Sequence, residues 1–279
     1  MRQGPLYLKS SIFYSAGSWP TLIAEGIKPF VNRFPGSSCT LRLNDEQGEN
    51  VRFALETSNQ EFERTARELH QHLEHFLQLH PSTENGTPCR QSLFIDFPAN
   101  AIRYDLFDHI PFLFEYRDKV LDIDSFLAEF WGLVIRTDAP VLEQLLKDRY
   151  VFSVQLFVTL LFCFSKDTRH ALAVVEHVRK TLRDKELLLT GDAEKEYSDR
   201  FGDLSGLIRD TWNMLGDAAG DKHVLSPFKK IFKKLATSAK TLKEEQRCLL
   251  LYQVTKRLNN DLGIVDDMFI LYYLKNMEI

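Results

Sequence analysis

The residues in this sequence best suited to chemistry are two arginines that lie in similar surroundings. Arg42 stands between Leu41 and Leu43, and Arg52 stands between Val51 and Phe53. Alternation of apolar and polar residues is typical of strands that bury one face, so each arginine would project from the other face. The polar stretch 44–50 predicts a turn between the strands. A pair of guanidinium groups on neighbouring strands would bind a carboxylate and keep its charge at any working pH.

A plainer interpretation of the same pair stays open. Arginines on the exposed face of a hairpin are often solvated or paired with nearby acids, and surface ion pairs of this kind contribute little to stability. Three such acids, Asp45, Glu46 and Glu49, lie in the connecting turn. The two interpretations therefore differ in what surrounds the guanidinium groups.

Composition limits the class of protein. The chain has 279 residues, 44% of them hydrophobic, which is enough for one large domain or two closely packed ones. We predict a single unit over 1–279, with a sheet-rich part (1–110) and a helical part (111–279). The net charge of −4 gives no electrostatic argument for direct nucleic-acid binding.

Cysteine usage and hydropathy predict a cytoplasmic protein. Cys39, Cys89, Cys163 and Cys248 are scattered and form no CxxC pair, and the first residues show no basic-then-apolar leader. The longest apolar run, 151–164, contains polar residues and is too short to cross a bilayer, so we expect a buried helix and no membrane insertion.

Strand patterns concentrate before about residue 105 and helical patterns follow, which predicts an α+β fold with a mainly antiparallel sheet. We predict strands or extended segments at 6–13, 39–57 (the hairpin), 91–97 and 96–107. Helices are predicted at 19–30, 61–79, 124–136, 140–165, 170–183, 205–215, 227–240, 243–258 and 266–275. A loop rich in turn formers is predicted at 81–88, and the very polar stretch 191–203 predicts a mobile insertion.

Other candidate functional motifs in the sequence are less informative about function. His72 and His75 share a helix face one turn beyond Glu68, but no third metal ligand stands at a recognisable spacing, so we predict no metal site. The chain has no GxGxxG, P-loop, GxSxG or CxxC motif, and we predict no cofactor. The lysine-rich segment 228–243 is either an ordinary solvated helix face or a surface for a membrane, a tRNA or an acidic peptide.

The order of several short segments resembles one family, the C-terminal elimination domain of lantibiotic dehydratases, which also occurs as free-standing thiopeptide-type bacteriocin biosynthesis proteins. The resemblance spans nearly the whole chain. It rests on Leu6-Tyr7-Leu8-Lys9, on Leu41-Arg42-Leu43-Asn44 running into Gly48-Glu49-Asn50-Val51-Arg52, on Ala101-Ile102-Arg103-Tyr104, and on the terminal segment Leu251 to Leu258. These resemble the family's Arg-Tyr or Arg-Leu strand, its Gly-x-His-hydrophobic-Arg strand, its Arg-Tyr segment and its His-Met-x-x-Asn-Arg-Leu helix.

The resemblance implies a role in the maturation of a ribosomally made peptide. In this family a dehydratase partner attaches glutamate to a peptide Ser or Thr, and the elimination domain removes the glutamate to leave an alkene; other members close a pyridine ring. Such an elimination needs a base for the Cα proton and cations for the departing carboxylate. By position, Tyr252, Arg52 and Arg103 would form the catalytic set, with Arg42 and Arg257 supporting the substrate pocket.

The sequence departs from the family pattern at three of these places. Tyr252 stands where the family has its catalytic histidine, Asn50 replaces another histidine, and Ala54 stands where many members have an arginine. At neutral pH a tyrosine phenol is a poor general base, although it can donate a hydrogen bond. The change at Tyr252 therefore bears directly on catalysis.

Three functional hypotheses follow. In the first, which we favour, the chain is an accessory or divergent subunit that binds a precursor peptide or a dehydratase-like partner, with a hairpin edge as docking strand. In the second it is an active lyase or pyridine-forming cyclase that uses Tyr252 as acid. In the third it is an unrelated helical interaction protein, which a fold without adjacent strands at Arg42 and Arg52 would support. A homodimer is compatible with each of them.

Overall fold

The computed structural model describes residues 6–82, 96–107, 112–116, 119–165, 167–182, 191–202, 204–217, 223–265 and 267–277. The chain packs into two compact units. The first comprises Met1–Phe112, Asp124–Lys147 and Asp261–Gly263, and the second comprises Leu113–Ile123, Asp148–Asn260 and Ile264–Ile279. The architecture is α+β, as predicted, because a sheet from the first hundred residues is followed by helices.

The sheet of the first unit has four strands. They are β1 (Leu6–Phe13), β2 (Cys39–Asn44), β3 (Asn50–Thr57) and β4 (Ala101–Tyr104), in the order β2-β3-β1-β4, and every neighbouring pair is antiparallel. The predicted first strand and hairpin are confirmed. The predicted extended segment 96–107 contains β4. The predicted strand 91–97 lies outside the described residues except for Asp96 and Phe97, and the predicted loop 81–88 does so beyond residue 82.

Helices pack around this sheet in the first unit. The predicted helix at 19–30 is α1 (Trp19–Thr21), a π-helical turn (Leu22–Ile27) and α2 (Lys28–Val31), preceded by a 3-10 turn at Ala16–Ser18. The long helix α3 (Phe62–Leu79) buries Leu69, Leu73 and Phe76, the three- and four-residue spacing that its sequence predicted. Helices α4 (Ile123–Arg136) and α5 (Ala139–Lys147) complete the helical part.

The second unit is helical apart from a small hairpin of β5 (Leu113–Tyr116) and β6 (Lys119–Asp122). Its helices are α6 (Arg149–Phe164), α7 (Thr168–Thr181), α8 (Gly191–Phe201), α9 (Leu204–Gly216), α10 (Ser226–Ser238), α11 (Glu244–Asp261) and α12 (Asp267–Lys275), with a 3-10 turn at Ala239–Thr241. Residue 266, where the last helix was predicted to begin, lies outside the described residues.

The prediction of one continuous helix over 140–165 was wrong. Asp148 has an extended backbone and accepts hydrogen bonds from the amides of Tyr150 and Val151, both at 3.1 Å. A carboxylate in this position caps the start of a helix, so α5 ends at Lys147 and α6 begins anew. The apolar run 151–164 within α6 is largely buried, as expected.

The prediction of a mobile insertion at 191–203 was also wrong, because most of this stretch forms α8. Tyr197 and Phe201, one helical turn apart, pack their rings against Phe269 of α12 at 6.2 and 5.1 Å. Phe201 also lies 4.8 Å from the Tyr150 ring. Two aromatic side chains on one face therefore anchor a helix whose other residues are mostly polar.

Helix length and apolar content bear on whether a helix can cross a bilayer. Within the described ranges, no single helix has both the length and the apolar character to cross a membrane. Two consecutive helical segments, Arg149–Phe164 and Thr168–Lys180, reach that length and apolar content together, but they are bent by 117° relative to each other.

Candidate functional site

Register brings one residue from each strand of the four-stranded sheet into a single row. Arg42 on β2 is opposite Arg52 on β3, Arg52 is opposite Ser11 on β1, and Ser11 is opposite Arg103 on β4. Directly opposed residues in antiparallel strands project from the same face. The three arginines that the sequence singled out in this unit therefore share one face, and we call Arg42, Arg52, Ser11 and Arg103 the arginine row.

Arg52 is the most enclosed arginine of the row, with a side chain that is 10% exposed. Its Nη2 donates to Glu46 Oε2 at 3.0 Å, and its guanidinium lies 5.7 Å from the centre of the Phe107 ring. Glu46 is 72% exposed, so this ion pair is weak and a ligand carboxylate could replace it. The plainer interpretation, in which the arginines pair with acids of the turn, is thus confirmed for Arg52 and Glu46. Glu49 instead accepts a hydrogen bond from the Ala16 amide at 2.7 Å.

Two donors at the centre of the row have no hydrogen-bond partner within the described part of the chain. They are Arg52 Nε and Ser11 Oγ, both buried. A buried polar group without a partner costs about 1–3 kcal/mol, and such groups recur where a ligand or water supplies the missing atom. The neighbouring positions of these two atoms mark a place for an acceptor such as a carboxylate oxygen.

Arg42 is held by a residue that sequence reasoning missed. Its Nε lies 3.9 Å from Asp261 Oδ1, and the Asp261 side chain is only 4% exposed. The other oxygen of Asp261 accepts from Trp131 Nε1 at 3.3 Å, which orients the carboxylate. Because Asp261 is far from Arg42 along the chain, no local pattern could have indicated this pair.

Arg103 lies at the outer end of the row on an aromatic surface. Its guanidinium is 5.2 Å from the centre of the Phe97 ring, which in turn packs 4.8 Å from Phe13. Its Nη1 donates to the Ile102 carbonyl at 3.2 Å. The head group is therefore oriented but exposed, and it retains donors for a ligand.

The remaining predicted site residues, Tyr252 and Arg257, lie on α11 within the second unit and are both half-buried. Tyr252 is close enough to Tyr273 to influence its ionisation. Burial raises the pKa of Tyr273 far above the ordinary value of a tyrosine, proximity to Tyr252 raises it further, and the Asn259 amide opposes this in part. Tyr273 therefore keeps its proton at working pH and is excluded as a base.

The histidine pair and the lysine-rich helix have structural explanations. The imidazole of His72 bonds to the Gly26 carbonyl in the π-helical turn at 2.7 Å, and the described residues contain no group of three or more metal-binding side chains. Helix α10 buries Phe228, Ile231, Phe232 and Leu235 and exposes several lysines, as an amphipathic surface helix does.

Comparison with known proteins gives a likeness in fold alone. No protein-family model matches the chain, and no curated protein matches it in sequence. Among solved structures, the chain is similar to "Pyridine synthase, TbtD, from thiomuracin biosynthesis", with a TM-score of 0.58, 15% identity, and coverage of 97% of this chain and 96% of that one. The chain thus has the fold of that synthase over nearly its whole length.

Proposed function

We propose that the protein takes part in the maturation of a ribosomally made peptide, as a divergent or accessory subunit that binds a carboxylate-bearing peptide on the arginine row. The observation that carries this proposal is the row itself: three guanidinium groups and a serine hydroxyl on one face of a sheet. The shared fold with a pyridine synthase over 97% of the chain supports the class of substrate.

The row suits a carboxylate better than it suits a purely structural role. Arg42 and Arg52 face each other directly, and like charges in that relation destabilise a sheet unless an anion lies between or beside them. Glu46 supplies one such anion but is mostly exposed, and Asp261, 3.9 Å from Arg42 Nε, supplies a second, so two carboxylates face three guanidinium groups. A ligand carboxylate would meet Arg52 Nε and Ser11 Oγ, which are buried and unpaired in the described part of the chain, and would neutralise excess positive charge.

An active lyase or cyclase is the second candidate. In glutamate elimination a base removes the Cα proton, the electron pair forms the new double bond, and glutamate leaves as a carboxylate. Arg52 and Arg103 have the placement to stabilise that departing carboxylate. Tyr252 would serve as an acid, because a phenol is a poor base at neutral pH. The accessory role therefore remains the better supported one.

The third hypothesis, an unrelated interaction protein, loses the observation that would have favoured it. The strands that carry Arg42 and Arg52 are neighbours in the sheet, with the two arginines in register. The fold likeness also extends beyond the sheet to almost the entire chain.

The function can be tested by recovering the tagged protein from cells that produce it and measuring the masses of co-purified peptides. We expect a short precursor peptide, or a large dehydratase-like protein, that is retained by the wild type and lost with Arg52→Ala. Arg64→Ala is a matched control, because Arg64 is an exposed arginine on α3 paired with Glu61 at 2.6 Å.

The same preparation separates the two candidates. If the protein is accessory, the peptide has the same mass in the wild type and in Tyr252→Phe. If it is an active lyase, glutamylated peptide accumulates in the variant. Recovery of neither peptide nor dehydratase-like partner from cells that express both would contradict the proposal.

A further inference from the structure

A cavity of about 340 Å³ lies beside α3, and the sheet residues Leu8 and Tyr104 that line it project from the face opposite the arginine row. Tyr104 of β4 is opposite Ser10 of β1, so it projects away from the face that carries Ser11 and Arg103. We call this space the α3 cavity; its lining residues include Leu8, Phe62, Ala66, Arg67, His70 and Tyr104. Its volume is within the range of small-molecule sites, about 300–1,000 Å³.

Two residues that line the α3 cavity, Tyr104 and His70, belong to a hydrogen-bonded chain that continues to Glu74. The phenol of Tyr104 lies 3.1 Å from His70 Nδ1, and His70 Nε2 lies 3.2 Å from Glu74 Oε1. Burial, and then the nearby Glu74, raises the pKa of Tyr104 to about 12. The phenol therefore keeps its proton at working pH, and each ring nitrogen of His70 has one partner. These bonds hold the imidazole in one orientation.

The cationic groups at the cavity differ in how they are paired. Lys9 forms an ion pair with Asp105 at 3.2 Å, which balances both charges. Arg67 is exposed, its Nε donates only to the Glu63 carbonyl at 3.4 Å, and no carboxylate pairs with it among the residues described. Arg64, one turn earlier on α3, is in contrast paired with Glu61 at 2.6 Å. Arg67 thus places an unbalanced positive charge at an apolar cavity.

We propose that the α3 cavity binds a small carboxylic acid with an apolar body. The carboxylate would form a two-pronged pair with the Arg67 guanidinium, and the apolar body would lie among Leu8, Phe62 and Ala66. His70 and Tyr104 also line the cavity. This site is separate from the arginine row, because it takes an apolar acid on the other face of the sheet, and it stands whether or not the protein modifies peptides.

The proposal is tested with dansylglycine, a fluorescent acid with an apolar ring system, and with dansylglycinamide as its uncharged counterpart. We expect saturable fluorescence enhancement with dansylglycine and at least about tenfold weaker binding of the amide. Arg67→Met should weaken dansylglycine binding to the same level as the amide. Arg64→Met, the matched control on the same helix, should bind dansylglycine like the wild type.

Filling the cavity gives an independent measurement. Ala66→Phe places a ring where the apolar body would lie and should abolish binding while the far-ultraviolet circular dichroism stays unchanged. Undiminished binding by folded Ala66→Phe would overturn the site. So would equal affinity for the acid and the amide, equal losses in the two arginine variants, or no saturable binding by the wild type. Should Ala66→Phe fail to fold, the two arginine variants still decide the question.

Discussion

Replacing Arg52 with methionine tests whether the arginine row exists for binding rather than for stability. Methionine keeps an unbranched apolar stem of similar length and removes the charge. In the structure Arg52 is 10% exposed, faces Arg42 across the sheet, and has a buried Nε without a partner in the described residues. If this nearly buried side chain served only packing, replacing it would lower the free energy of unfolding by several kcal/mol.

The interactions that Arg52 makes in the structure predict a smaller change in the free energy of unfolding. Losing the ion pair with the exposed Glu46 costs at most about 1 kcal/mol, and losing the contact with the Phe107 ring costs about 0.5–1 kcal/mol. Against this, like charges directly opposite each other destabilise a sheet, and their removal returns an energy comparable to the about 0.2–1 kcal/mol of a cross-strand pair. Arg52→Met should therefore change the free energy of unfolding by less than about 1 kcal/mol.

The assay is urea unfolding in sodium glutamate and in sodium chloride at equal ionic strength. A ligand at ten times its dissociation constant stabilises the native state by about 1.4 kcal/mol. We expect glutamate to raise the urea midpoint of the wild type and of the control Arg64→Met, and to leave that of Arg52→Met unchanged.

Either of two results would refute this reasoning. A loss above about 2 kcal/mol in Arg52→Met, without any ligand, would mean that Arg52 is a structural residue. Equal stabilisation of the wild type and Arg52→Met by glutamate would mean that the anion acts elsewhere on the protein or on the solvent.

Four further outcomes are expected. Burial raises the pKa of Cys39 and Cys248 to about 11 and that of Cys163 to about 12, so these thiols should resist alkylation at pH 8 until urea unfolds the chain. The pKa values of these thiols in the folded protein exceed the unfolded value of about 8.5. Their contribution to folding stability is therefore complete below pH 8.5 and is lost as the pH rises toward 11, by about 1.4 kcal/mol per pH unit for each thiol. Urea midpoints measured across that pH range should show this loss. Asp148→Ala should lower the free energy of unfolding by about 1 kcal/mol, since it removes the cap of α6. Gly48→Ala should lower the free energy of unfolding by at least about 1 kcal/mol, because the backbone has φ +106° and an added Cβ would lie 3.2 Å from the Phe97 carbonyl. Gly17→Ala, with open space around it, is the control in the same urea titration.

Local patterns of residues were enough to predict several elements of the fold. Alternation around Arg42 and Arg52 gave two neighbouring strands, and apolar spacing gave α3 within one residue. The N-terminal concentration of strands gave the α+β class. These predictions succeed because the period of apolar residues reflects which face of an element is buried.

Local patterns failed where one side chain or a distant neighbour decided the outcome. The carboxylate of Asp148 divides what apolar content alone suggested was one helix. The polar stretch 191–203 is mostly helical because Tyr197 and Phe201 pack on Phe269, a contact that no local window contains.

Some residues of the candidate site could be predicted from the sequence, and others only from the tertiary structure. The sequence supplied three arginines on strand-like segments, but strand order and register placed Ser11 between two of them and aligned all four residues in one row. Tertiary packing brought Asp261 to Arg42 and Tyr104 to His70. Pairing across a sheet and contact between distant segments depend on how the whole chain folds, so they cannot be read from spacing along it.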